Sequence, residues 1–151
     1  MGCPYNSDIS MDDQPSVKIN PKLIGKWQER TSEDATYIVS QKDDYTYTIV
    51  EKHKPAEGDT AKQEDKVYNA FLSNVGGTNF LNLYEANQDT KTYYFYKVDI
   101  SDEIEAFTLY PLSEYITEKF TSAVDLKKFV GSYKDLSFFY GTKTEYIKVG
   151  K

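Results

Sequence analysis

Beyond residue 20 the chain alternates: apolar side chains, most of them aromatic, recur at every second position in short runs separated by turn residues. Residues 25–30, Gly-Lys-Trp-Gln-Glu-Arg, follow Pro21 and suit a first strand. Residues 35–41 carry Tyr37 and Val39 on one face, and Lys42-Asp43-Asp44 makes a polar turn into residues 45–50. There Tyr45, Tyr47 and Ile49 alternate with Thr46, Thr48 and Val50, which predicts a half-buried strand and, with its predecessor, a hairpin. Residues 55–63 hold Pro55, Gly58, Asp59 and several charges without any period, so they predict a loop at one rim. Strands over 67–75 and 78–85 flank Gly76-Gly77, a strong hairpin signal. Asn87-Gln88-Asp89 turns the chain into a strand over 92–100 with Tyr94, Tyr96 and Val98 on one face, and Ser101-Asp102 turns it again into 103–112.

The period changes after Pro111. Ser122 is placed to cap a helix with Asp125 in its first turn, Leu126, Phe129 and Val130 form an apolar stripe, and Gly131 is placed to end it. A last strand over 144–149, with Ile147 and Val149 on alternating positions, is expected to close the sheet against the first. The predicted fold is all-β: an up-and-down antiparallel barrel of about eight strands with one short helix before the last strand. Two units follow, a flexible N-terminal tether over residues 1–20, rich in Pro, Ser, Asn and Asp, and a barrel domain over 21–151.

Composition narrows the functional classes. The formal net charge of −6 is spread along the chain, so no basic stripe is present to displace phosphate counterions, and nucleic acid is not an expected partner. No run of 18 or more apolar residues offers a membrane span. The only cysteine, Cys3, rules out an intrachain disulfide and a four-cysteine zinc site, and no metal or cofactor is expected. The only histidine, His53, stands among charges at the end of a strand, where a solvated imidazole is the plain reading. Asp43-Asp44 and the Asp99, Asp102 pair read as turn acids. No nucleophile elbow, phosphate loop or zinc-protease helix occurs, so the chain is not expected to be an enzyme.

Two resemblances give these pieces a context. Gly2-Cys3, followed by the polar run Pro4, Tyr5, Asn6, Ser7 and Asp8, looks like the junction of a bacterial lipoprotein, with Met1 standing in place of an exported signal. That likeness implies a lipid anchor on Cys3, which would be the chain's one attachment to a membrane. Leu23, Gly25 and Trp27 stand like the leucine, glycine and tryptophan of the first lipocalin strand, where the tryptophan closes the barrel floor. Together the chain resembles the lipocalin-like small lipoproteins of Gram-negative bacteria, the Bacteroidetes type especially. It lacks the later Thr-Asp-Tyr signature and the paired cysteines of the classical family. The resemblance implies a monomer in the cell envelope, periplasmic or anchored at the outer membrane, that binds a small apolar or amphipathic ligand.

The expected pocket residues are Trp27, Tyr37, Tyr47, Leu72, Leu83, Tyr94, Tyr96 and Phe107, with Ile49 beside them, chosen because their strand neighbours are polar. Two alternatives stay open at the level of sequence. The rings could simply fill the barrel, leaving a module that works through its surface on protein or glycan. An inward carboxylate paired with a tyrosine could instead support isomerase or hydrolase chemistry.

Overall fold

In the computed structural model, which describes residues 4–54, 64–101 and 105–150, the alternating runs become strands in the order in which they occur. A two-residue strand, β1 (Asn6–Ser7), comes first. It is followed by β2 (Gly25–Glu29), β3 (Ala35–Gln41), β4 (Thr46–His53), β5 (Lys66–Val75), β6 (Thr78–Glu85), β7 (Tyr93–Ile100), β8 (Ala106–Pro111) and β9 (Thr144–Lys148). From β2 to β9 each strand pairs antiparallel with its neighbour in sequence. Then β9 returns to β2 through Trp27↔Lys148, Gln28↔Ile147 and Glu29↔Tyr146. The sheet is therefore a closed up-and-down barrel of eight strands, and one short helix, α1 (Ala123–Tyr133), precedes the last strand, as the pattern predicts. Closure removes the exposed edges that an open sheet would present to other chains. Gly76 and Gly77, at φ 56° and 89°, form the left-handed pair that a two-residue hairpin between β5 and β6 requires.

Alternation divides the apolar residues into two cores. The inner one joins Leu23, Trp27, Val39, Tyr47, Ala70, Leu72, Leu81 and Phe107 inside the barrel. The outer one covers the opposite face of β5, β6 and β7: Val75, Phe80 and Phe95 meet Leu126 and Val130 of α1, together with Leu112, Phe139, Tyr5 and Met11. Outward-facing Phe80 and Phe95 are 0% exposed, so this side of the barrel is a buried layer, not a wetted one.

That second layer corrects the expected tether. Residues 4–20 pack on the barrel because the segment carries Tyr5, Ile9, Met11, Val17 and Ile19, and each finds apolar company. Backbone and side-chain bonds fix it. β1 pairs with Tyr93 and Tyr94 of β7, the Tyr5 hydroxyl donates to Glu118 O at 2.6 Å, and Met11 N donates to Asn82 Oδ1 at 2.9 Å. Asn82 is itself buried and spends its amide nitrogen on Phe71 O and Ser73 Oγ, so a polar clamp sits inside the outer core with its donors and acceptors matched.

Further boundaries differ from expectation. β4 runs on through Glu51, Lys52 and His53, since Lys52↔Thr36 and His53↔Ala35 extend the ladder with β3 past the last apolar residue. α1 continues through Gly131 to Tyr133. Its serine cap is as expected, with Ser122 Oγ accepting from Asp125 N, but Gly131 keeps a helical backbone where the turn passes Val75, whose Cγ1 would lie 3.4 Å from an added Cβ. In β9 Tyr146 faces the cavity, standing opposite Phe107, while Ile147 stands opposite Ala106. Cys3, the expected lipid-anchor site, and residues 55–63, the expected rim loop, lie outside the described residues.

Candidate functional site

The floor of the barrel is built locally. Asn20 caps a single 3-10 turn, Pro21–Leu23, by accepting from Lys22 N, and Pro21 fits the first position of that turn, where no backbone donor is needed. The turn delivers Leu23 beneath the strands, and Trp27 Nε1 donates to Leu23 O at 2.9 Å, tying the indole to the plug. From opposite the turn, the Tyr47 hydroxyl accepts from Asn20 N at 2.6 Å. A row of rings then climbs the wall. Trp27 meets Phe107 edge-on at 4.6 Å, Phe107 stacks on Tyr146 at 5.0 Å, and Tyr146 meets Tyr37 edge-on at 5.5 Å. Such pairs contribute about 0.5–1.5 kcal/mol each beyond the area they bury.

Above this floor the barrel encloses a cavity of about 250 Å³. Of the expected residues, Tyr37, Tyr47, Ile49, Leu83, Tyr96 and Phe107 line it. Trp27 and Leu72 do not: they are 2% exposed and belong to the packed floor, Trp27 because its indole is taken up by Leu23 and Phe107, Leu72 because it sits in the inner core opposite Leu81. Tyr94 is also outside the lining. It shares the inward register with its partner Leu83 and lies close enough to Tyr68 and Tyr96 to act on both electrostatically.

The structure adds residues that sequence reasoning missed, among them Leu23, Val39, Leu81, Val98, Leu109, Tyr68, Tyr146 and Glu51. Glu51 changes the chemistry of the site. It follows Tyr47 and Ile49 on the inward positions of β4, so the period-2 signal was present but stopped one residue short of it. Tyr68 leads Ala70 and Leu72 on the inner face of β5, and Tyr146 stands across β8 and β9 from the expected Phe107.

Exposure rises along β4 from floor to rim: Tyr47 is 1% exposed, and the side chains of Glu51 and His53 are 18% and 36% exposed. His53 Nε2 lies 2.6 Å from Glu51 Oε2, so the imidazole, 36% exposed at the rim, also engages the one carboxylate that lines the cavity among the described residues. Around Glu51 the phenols are hard to ionise. Burial first, then the negative charge of Glu51, pushes Tyr37 and Tyr68 up to about 12. Tyr96 also reaches about 12, through burial, neighbouring Tyr94 and Glu51. Tyr146 is raised furthest, by burial and by Tyr37, with Glu29, Tyr96 and Glu51 adding to it. Among the described residues none of these four hydroxyls has a hydrogen-bond partner, and none is sealed away from solvent. The site thus offers an apolar body, four neutral hydroxyls able to donate or accept, and one carboxylate near the rim.

A second hollow lies outside the barrel, where Lys97, Tyr110, Lys134, Tyr140 and Lys143 surround an open surface cleft. Its lysines are already occupied in part, Lys97 over the rings of Tyr110 and Tyr140 at 4.3 and 4.7 Å and Lys134 on Asp135. Among the described residues no cluster of three or more His, Cys, Asp or Glu is arranged to hold a metal ion, and no helix is long and apolar enough to cross a membrane. Comparison with protein-family models, with curated proteins and with solved structures finds no match for the chain.

Proposed function

We propose that this protein binds a small amphipathic molecule inside its barrel, with the apolar body of the ligand against Ile49, Leu83 and Val98 and its polar end toward Glu51. The observation that carries this reading is the cavity itself: the inner core stops short of filling the barrel and leaves about 250 Å³ walled by apolar and phenolic side chains. Apolar walls with a few convergent polar groups are the usual make-up of a ligand site, and drug-sized pockets start near 300 Å³, so the ligand is smaller than that class. A barrel working only through its surface needs no such space, which favours the binding reading over that alternative.

The envelope role belongs to the same proposal and rests on Gly2-Cys3. Tyr5 is held by Leu112 O and Glu118 O, so an acylated Cys3 would hang on a lead of two residues, about 7 Å when extended. The barrel would then ride close to the bilayer instead of swinging on a long tether. Intact mass of protein recovered from membranes of cells that export it tests the anchor, since a diacylglyceryl increment on the Cys3 peptide supports it and an unmodified peptide refutes it.

Native mass spectrometry followed by a thermal-shift screen tests ligand binding. A retained small molecule, or a rise in melting temperature that grows with ligand concentration, is the expected outcome. A ligand at 100 times its Kd stabilises by about 2.7 kcal/mol, which is readily seen in a domain of this size. No bound mass and no shift with any small amphipath would return the barrel to the filled class.

A further inference from the structure

The chemistry of the cavity wall selects among amphipathic ligands. A neutral phenol can donate or accept, so the tyrosines alone would take an alcohol, a carbonyl compound or an amine equally well. The carboxylate removes that ambiguity. Glu51 projects from the inward register of β4 into the same wall as Tyr37, Tyr68, Tyr96 and Tyr146, and each of those four hydroxyls lies within reach of its charge. His53 meets Oε2 only, and Oε1 has no partner among the described residues. Lys66 stands opposite Glu51 in the ladder, yet no ion pair joins the two among the described residues. Among the described residues the cavity wall therefore has one open anionic acceptor and several electron-rich rings and oxygens, and no lysine or arginine lines it to meet an acid.

We infer that the ligand of this cavity is a small organic cation, an amine with a compact apolar body, whose ammonium group is held at Glu51 among the tyrosines. This inference rests on the small-molecule reading above and adds the sign of the ligand's charge. An ammonium hydrogen on a carboxylate oxygen makes a charge-assisted bond, and aromatic rings beside a partly desolvated cation add cation–π attraction. A carboxylate ligand such as a fatty acid meets the reverse condition, with like charge at the end of the barrel where its head group would lie. Sterically the site favours short molecules, since about 250 Å³ equals roughly eight waters at ~30 Å³ each.

The test uses three probes of one shape: phenethylamine, phenethyl alcohol and hydrocinnamate, titrated calorimetrically into the full chain at neutral pH and moderate salt. The expected result is that the amine binds about tenfold or more tightly than the alcohol, the scale of one charge-assisted hydrogen bond, and that hydrocinnamate binds weakest. In Glu51→Gln the amine's advantage over the alcohol should disappear, with an unchanged circular-dichroism spectrum and a cooperative melt showing that the variant's barrel is intact. If Glu51→Gln fails to fold, Tyr146→Phe and the dependence of amine binding on salt take its place, weaker binding in both being expected. Equal binding of amine and alcohol, or unaltered amine preference in Glu51→Gln, overturns the cation inference and leaves the binding reading standing. No binding by any of the three overturns both.

Discussion

Single side chains decide whether each of the two cores holds together. Asn82 is the clearest case: it is 0% exposed, and its amide answers Met11 N, Phe71 O and Ser73 Oγ at once. Asn82→Ala strands a buried donor and acceptor, so unfolding in denaturant should show a loss of ~2–3 kcal/mol, and limited proteolysis should cut the chain before residue 20 in the variant first. The phenols give a prediction in pH. Burial and nearby carboxylates raise Tyr37, Tyr68 and Tyr96 to about 12 in the folded chain, against about 10 when unfolded. Between those values the folded state holds more protons than the unfolded one, so stability falls as pH rises. The contribution is complete below about pH 10 and is lost as pH climbs toward 12. An ultraviolet titration should show a late class of tyrosines that ionises only as the protein unfolds. A single class ionising near pH 10, with the fold intact, would contradict the burial described for them.

Elements were legible in the sequence wherever one physical signal decided them. Period-2 alternation located every barrel strand, and Ser122 with Asp125 located the start of α1, because both signals are local. Ends were less legible where partners decide them. β4 reaches His53 because β3 continues to pair with it, which Glu51, Lys52 and His53 themselves do not announce. Gly131 reads locally as a stop, yet the packing of α1 on β5 keeps it helical. Gly131→Ala consequently should not disrupt the helix. It should stabilise the protein by about 0.5–1 kcal/mol through lower backbone entropy in the unfolded chain, since the added methyl meets Val75 at 3.4 Å, ordinary contact distance, and thermal unfolding measures this directly. Trp27→Ala acts on the floor: it removes the Phe107 ring contact and the bond to Leu23, and a loss of about 3–5 kcal/mol is expected in the same assay.

At the scale of the whole molecule, the barrel and its inward aromatics could be read from alternation, but the division of labour between its two faces could not. A strand that is apolar on both sides carries no local mark of which side holds a cavity and which side holds a helix. Here Phe80 and Phe95 serve the outer core while Leu83 and Tyr96 face the cavity. The polar composition of residues 4–20 likewise concealed Tyr5 and Met11, both buried in the outer core. Removing residues 1–13 should therefore destabilise the barrel and raise binding of a hydrophobic dye, whereas loss of a free tether would change neither. The central claim is that the inner face holds an accessible cavity and the outer face a filled core. Methyl-resolved NMR during titration with phenethyl alcohol tests it most directly. The account predicts saturable shifts at Ile49, Leu83, Val98 and Leu109, with Val75, Leu126 and Val130 unmoved; silence at the inner methyls, or shifts confined to the outer ones, would contradict it.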